Sequence, residues 1–299
     1  MTDHPLVQIC GIAVRPPGDR GLSPRHAAYG RAHRIKQVLR ISLLEGMVLR
    51  VGEREVVLTS RKAKALVAYL VLTPGMKETR DRLVGLLWSE TEDAKARASL
   101  RQLLHVLRDT FDAAGLVGLS TDRDQVSLDP SAVVTDLDDL IASVDRGEPA
   151  DCLSDEAGIT DSLLRGYDDV DPSFGSWLTV KREGIRRMLI RRLEAQLTEI
   201  THRPEVTKRI ARALFQIDPT HEIACQKLMR ACVASGNAGS ALAAYKQLWE
   251  CLEQEYDIEP SMATQELVVA IKSGTYSPPM AALDPRGGRS VVASLEEAI

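Results

Sequence analysis

The sequence predicts a mainly α-helical protein with a small β component. Leu and Ala are abundant, while aromatic residues make up 4% of the chain, which favours helices over a β-sandwich. Residues 94–112 carry apolar side chains at helical spacing, and much of 174–272 repeats that pattern. Short apolar or alternating runs between 38 and 58, and again between 117 and 128, predict the few strands.

The charge of the chain is unevenly distributed. At 299 residues it is long enough for two domains with cores of their own, and its net charge is −4. Residues 1–40 carry seven Lys/Arg against two Asp/Glu, whereas residues 129–180 carry two against thirteen. The total charge argues against a nucleic-acid partner, but a local excess of cations is the stronger indication. We interpret the acidic belt, 129–180, as a solvated linker or as a segment that docks on the basic C-terminal half.

The cellular compartment is predicted from what the sequence lacks. The five cysteines are few, odd in number and unpatterned, which favours reduced thiols over a disulfide framework. No apolar run approaches the ~20 residues of a membrane span. The first residues also lack the basic region that opens a signal peptide. We therefore expect a cytoplasmic protein with no membrane partner.

Three predicted helices follow the first strands. Ser60 caps a helix that ends at Pro74, and Thr79 caps a second, shorter one. A short acidic linker leads to the third helix, 94–112. One face of that helix is apolar and needs a core: Leu100, Leu103, Leu104, Leu107 and Phe111.

A hairpin follows the third helix. A strand around Val117–Leu119, a polar turn at Thr121–Asp124 and a strand at Gln125–Leu128 predict a wing. A sheet, three helices and a hairpin, in that order, make a winged helix-turn-helix, which we assign to residues 38–130. In this arrangement the third helix enters the DNA major groove and the wing reaches a minor groove.

Exposed residues of this region have the chemistry for DNA contacts. Arg and Gln side chains read base edges, and Lys and Arg neutralise phosphates. The expected base contacts are Ala98, Arg101, Gln102 and His105. The expected phosphate contacts are Arg61, Lys62, Lys64, Arg97, Ser99, Arg108 and Arg123. The alternative is a surface helix with ordinary solvated charges.

Residues 131–275 predict a helical domain. The stretch DPTHEIACQKLMRACVASGNAGSALAAYKQLWECL has helix-hairpin spacing, opened by Pro219 and turned at Gly236. It is similar to a tetratricopeptide repeat of about 34 residues. Such repeats stack helix pairs into a concave surface that binds protein or peptide. The flanking segments, 1–37 and 276–299, are rich in Pro and Gly and are expected to be flexible.

Catalytic and metal-binding patterns are missing from the sequence. It has no GxSxG, P-loop or GxGxxG motif. The acidic belt lacks the spacing of a calcium loop. His221 and Cys225 stand four apart on a predicted helix, but further ligands are not evident, so packing is the favoured interpretation. We expect no enzyme activity, no cofactor and no metal.

Two parts of the chain resemble one family of regulators. LRISLLEGMVLRVGEREVVLTSRKAKALVAYLVL, RDRLVGLLW and ARASLRQLLHVLR resemble the OmpR-type winged helix of the Streptomyces antibiotic regulatory protein (SARP) family. LLRGYDDVDPSFGSWLTVKREGIRRMLIRRLE and LEQEYDIEPSMATQELVVAI resemble the first helix and the end of the bacterial transcriptional activator domain that follows it. The resemblance covers about residues 38–274, with the two domains in the family's order.

The resemblance implies a sequence-specific DNA-binding transcriptional regulator, expected to be an activator that contacts RNA polymerase. The implied partners are double-stranded DNA, RNA polymerase and, in a homodimer, a second copy of the chain. Two alternatives stay open. Val106, Asp109 and Asp112, near the end of the third helix, favour a protein-interaction adaptor whose winged helix does not bind DNA. The Pro/Gly-rich tail favours the regulatory N-terminal part of a longer signalling protein.

Overall fold

The computed structural model describes residues 37–44, 46–149, 153, 162–199 and 204–276. Nearly all of the predicted extension (1–37) and tail (276–299) lies outside these residues, as does part of the acidic belt. The predicted fold class is confirmed: the chain is mainly α-helical, with two small sheets in its N-terminal half. No helix within the described ranges is long and apolar enough to cross a membrane.

The described residues form seven strands and nine α-helices. The strands are β1 (Leu39–Ser42), β2 (Val48–Val51), β3 (Arg54–Glu55), β4 (Lys77–Thr79), β5 (Leu119–Thr121), β6 (Gln125–Leu128) and β7 (Val133–Thr135). The helices are α1 (Arg61–Leu72), α2 (Arg80–Leu87), α3 (Asp93–Ala113), α4 (Asp136–Asp145), α5 (Pro172–Glu199), α6 (Pro204–Ile217), α7 (Glu222–Ala234), α8 (Ala238–Tyr256) and α9 (Met262–Lys272).

The first sheet has the order β3-β2-β1-β7. β1 and β2 are antiparallel, and Leu39 faces Val51 in their register. Alternation along these strands buries Leu39, Ile41, Leu49 and Val51. β7 was not predicted, and it adds to β1 in parallel. The sequence predicted a return strand over 55–58, but the observed β3 is shorter: Arg54 and Glu55 pair with β2, and the Val56 N–H donates to the Leu49 carbonyl at 2.8 Å.

The first two helices, α1 and α2, begin at the cap residues that the sequence predicted. The Ser60 hydroxyl accepts a hydrogen bond from the Ala63 N–H, and the Thr79 hydroxyl accepts one from the Arg82 N–H. On α3 the predicted apolar face is buried, although Leu103 is only half-buried. The fully buried members of that face are Leu100, Leu104, Leu107 and Phe111. This face packs α3 on the core and turns its opposite side to solvent.

The wing is a three-stranded sheet in the order β4-β6-β5. β4 was not predicted, because Lys77-Glu78-Thr79 has no apolar alternation, but it pairs with β6. The Arg80 N–H, at the start of α2, donates to the Asp124 carbonyl in the wing turn at 2.9 Å. The hairpin is therefore tied to the start of α2.

Acidic side chains after the wing accept hydrogen bonds from the N-terminal sheet. Thr135 and Asp138 form a capping box at the start of α4. The Asp136 carboxylate accepts the N–H groups of Leu43 at 2.9 Å and Leu44 at 3.1 Å. Because α4 also packs on α5, residues 136–145 contact both halves of the chain. The domain boundary at residue 131 stays a prediction.

The C-terminal half is a stack of antiparallel helices. α5 packs on α6, α6 on α7 and α7 on α8, while α9 covers α7 and α8. Gly236 takes φ +74° in the α7–α8 turn, a conformation that favours glycine. The next residue, Asn237, caps α8 by accepting the Ser240 N–H at 3.0 Å. This is the helix hairpin that the sequence predicted.

The residues considered as metal ligands serve the stack instead. His221 caps α7 through Nδ1, which accepts the Ala224 N–H at 3.2 Å, and its Nε2 lies 3.0 Å from Glu194 Oε1. Cys225 is fully buried, and burial raises the pKa of its thiol to about 12. Within the described part of the chain, no group of His, Cys, Asp or Glu could hold a metal ion.

Candidate nucleic-acid interface

The solvent side of α3 holds the four predicted base contacts. Ala98, Arg101, Gln102 and His105 follow helical spacing, lie opposite the buried face and are exposed. We call these four residues the outer face of α3. The side chains of Arg101 and Gln102 make no hydrogen bond or ion pair with any other described residue. His105 Nδ1 lies 3.5 Å from Asp109 Oδ1, and both side chains are largely exposed.

Four of the predicted phosphate contacts lie around this face. Arg97 bonds two carboxylates, Asp93 at 2.8 Å and Asp81 at 2.5 Å, and these hydrogen bonds raise the pKa of its guanidinium. Arg108 donates to the Thr121 hydroxyl on β5, which links α3 to the wing. The remaining two are Ser99, which is half-buried on α3, and Arg123, which is exposed in the wing turn. Because Arg97 is solvent-exposed, its ion pairs are weak enough to be exchanged for a phosphate.

The three predicted contacts on α1 are held by other parts of the protein. The Arg61 guanidinium donates to the Asp169 carboxylate and the Gly166 carbonyl. The Lys62 ammonium donates to the Leu87 carbonyl. Lys62 also lies over the Trp88 ring, 5.1 Å from its centroid. The third residue, Lys64, reaches the Met47 carbonyl at 3.4 Å. Each of these cations already has an oxygen partner, so a phosphate would have to displace it.

Sequence reasoning missed three further cations beside the outer face. Arg82 is exposed in the first turn of α2, and Lys95 is exposed in the first turn of α3. The third cation is Arg80, whose Nε donates to the Asp122 carbonyl in the wing turn at 2.9 Å. The sequence did contain an indication of Arg80 and Arg82. Thr79 predicts the start of α2, and the unpaired N–H groups at a helix start favour anions such as phosphate. Together with the outer face, these residues form a surface on which cations are mixed with polar and acidic side chains.

Comparison with known proteins identifies the second half of the chain. Residues 162–272 match the family model of the bacterial transcriptional activator domain. Over 249 residues the chain is 27% identical to the regulatory protein AfsR of Streptomyces coelicolor. That match covers 80% of this chain and 24% of AfsR, so the chain spans about a quarter of this relative.

A solved structure has the same fold. It is Mycobacterium tuberculosis EmbR in complex with a low affinity phosphopeptide, which superposes with a TM-score of 0.55. The match covers 80% of this chain and 66% of the EmbR chain. Because the two sequences are 20% identical, the likeness bears on the fold alone.

Proposed function

We propose that the chain is a transcriptional regulator of the SARP type that binds double-stranded DNA in a sequence-specific manner. The match to the bacterial transcriptional activator domain and the likeness to AfsR support the regulatory role. The observation that carries this proposal is the outer face of α3. It presents an arginine and a glutamine whose side chains are exposed and make no hydrogen bond or ion pair within the described residues. A helix with such a face, tied to a wing on one side, suits the major groove.

Each residue has a proposed role in this complex. Arg101 reads a guanine through two hydrogen bonds, and Gln102 reads an adenine in the same way. Ala98 allows a close approach to the base edges, and His105 completes the face. Phosphates are neutralised or bound by residues around it, namely Arg97, Ser99, Arg108, Arg123, Arg82 and Lys95. Arg61, Lys62 and Lys64 stay proposed phosphate contacts, and each would exchange an internal oxygen partner for the phosphate, as Arg97 does.

The C-terminal domain gives the regulator its protein partners. We propose that it makes the chain an activator by contacting RNA polymerase, with a second copy of the chain as a further partner on paired DNA sites. Stacked helix pairs expose broad surfaces that suit protein contacts. The role is regulatory rather than enzymatic, and a regulator of bacterial transcription works in the cytoplasm, where the chromosome lies.

The salt dependence of binding tests the DNA contacts. At a net charge of −4 the protein as a whole does not attract DNA, so binding depends on the local cations. Each phosphate that they neutralise lowers log K by roughly 0.9 for each tenfold rise in salt concentration. Fluorescence anisotropy with a labelled duplex, at several salt concentrations, measures this slope. A DNA affinity that does not change with salt concentration would contradict the proposal.

Gln102→Ala is expected to lower the preference for adenine at one position and to leave non-specific affinity intact. A bidentate contact discriminates between bases by roughly 1–3 kcal/mol, whereas Gln102 carries no charge and contributes little to phosphate binding. Competition between matched and single-substituted duplexes measures the preference. The control is Gln254→Ala, which removes an exposed glutamine from α8. If Gln102→Ala keeps the wild-type preference at every position, Gln102 does not read bases.

One observation favours the adaptor as a second candidate. Val106 is 49% exposed on α3, close to Asp109, where a DNA-binding helix would gain from cations. An adaptor would bind a protein through α3 and would have no salt-dependent affinity for DNA. The anisotropy measurement therefore separates the two candidates.

A further inference from the structure

A buried carboxylate joins the C-terminal domain to the helix-turn-helix. Asp171 is 6% exposed and stands immediately before α5. Its Oδ1 accepts the Ser89 hydroxyl at 2.6 Å and the Ser173 N–H at 3.1 Å. Its Oδ2 accepts the Ser89 N–H at 3.1 Å. One side chain thus caps α5 and holds a residue of the other domain.

Ser89 lies in the short linker between α2 and α3. This linker sets the position of α3 relative to α2, which is the geometry on which groove recognition depends. Trp88, the residue before it, is buried in the core of the winged helix. The linker is therefore packed on one side and hydrogen-bonded to Asp171 on the other.

Neighbouring contacts hold α1 to the same end of α5. The Arg61 guanidinium bonds Asp169 and stands 5.8 Å from the centroid of the Tyr167 ring. Tyr69 packs on Trp177 with ring centroids 4.8 Å apart. The Lys181 ammonium donates to the Leu72 carbonyl at the end of α1. Together these contacts fix the first three turns of α5 against α1, so Asp171 holds Ser89 from a rigid base.

The buried carboxylate of Asp171 depends on its hydrogen bonds to Ser89. Within the part of the chain that the structure describes, no Lys or Arg pairs with its carboxylate. A buried carboxylate without a cation depends on its hydrogen-bond donors, and two of the three come from Ser89. If the linker moved away, the carboxylate would lose most of its donors, which penalises other positions of the linker.

We propose that Asp171 is a positioning residue for DNA recognition, through which the C-terminal domain fixes the α2–α3 linker and the placement of the outer face of α3. Asp171 does not contact DNA in this proposal, which rests on the proposed function. The proposal predicts that substitutions at the start of α5 alter the base-sequence preference of α3 in the DNA major groove. Residues that couple distant sites in this way shift affinities by roughly 2- to 30-fold.

The test compares the affinity for a selected operator with the affinity for a scrambled duplex, at one salt concentration. Asp171→Ala is expected to lower this ratio by roughly 2- to 30-fold. Asp171→Asn keeps one acceptor oxygen and is expected to fall between Asp171→Ala and wild type. Asp136→Ala is the matched control, since that carboxylate also accepts two backbone N–H groups, but at the far end of β1. It is expected to lower stability and to leave the ratio unchanged.

Hydrogen exchange provides a second measurement that does not depend on DNA binding. Asp171→Ala is expected to speed exchange of the amides of residues 88–96, while Asp136→Ala leaves them at the wild-type rate. A wild-type ratio in folded Asp171→Ala, or equal losses in both variants, would overturn the positioning role. If the wild-type protein prefers no operator, the proposed function fails. In that case hydrogen exchange still tests the contact: unchanged exchange at 88–96 in Asp171→Ala would show that Asp171 does not hold the linker.

Discussion

Gly175→Ala is expected to destabilise the protein by about 3 kcal/mol, the upper end for an overpacked site. A Cβ atom at this position would stand 2.4 Å from the Asp168 carbonyl oxygen. The obstacle is backbone, so no side-chain rotation relieves it. Either α5 or the segment before it must shift, and that segment carries Asp169 and Asp171 to the winged helix. Urea denaturation, monitored by circular dichroism, measures the change in the free energy of unfolding.

Gly184→Ala is the matched control for this substitution. It lies on the same helix, is exposed and has nothing within 4 Å of its new Cβ. Alanine in an exposed helix interior stabilises by up to about 1 kcal/mol relative to glycine. The two substitutions should therefore have opposite signs. Equal stability of Gly175→Ala and wild type would mean that the close approach of α5 to Asp168 is not required.

Arg101→Ala is expected to reduce operator affinity by about 10- to 100-fold, since a bidentate contact to guanine contributes roughly 1–3 kcal/mol. Arg191→Ala provides the control. It removes the same charge from an exposed position on α5, and among the described residues Arg191 has no ion pair. It should bind the operator as the wild type does. Equal losses in the two variants would indicate a general charge effect instead of base reading by Arg101.

The sequence predicted the helices that have local signals, such as a cap residue or an apolar period. Ser60 and Thr79 are cap residues, and each begins a helix. The apolar period of α3 separated its buried face from its outer face. By contrast, β4 and β7 are three residues each and become strands only because β6 and β1 offer free edges. Such pairing is non-local and leaves no pattern in the short segment itself.

The partners of the predicted site residues could not be read from the sequence for the same reason. Arg61 has the position of a phosphate contact at the start of α1, but Asp169, more than a hundred residues away, binds it. The acidic belt was expected to be a solvated linker or to dock on the C-terminal half. Its carboxylates in fact bond both halves: Asp145 pairs with Arg192, while Asp171 holds Ser89. Only the folded chain brings these groups together.

Selection of bound fragments from a random double-stranded DNA library, at near-physiological salt, tests sequence-specific binding through α3 most directly. Wild-type protein and Arg101→Ala are taken through the same rounds. We expect the wild type to enrich one motif and Arg101→Ala to lose it while remaining folded. No enriched motif from well-folded wild-type protein, or the same motif from Arg101→Ala, would contradict recognition through this helix.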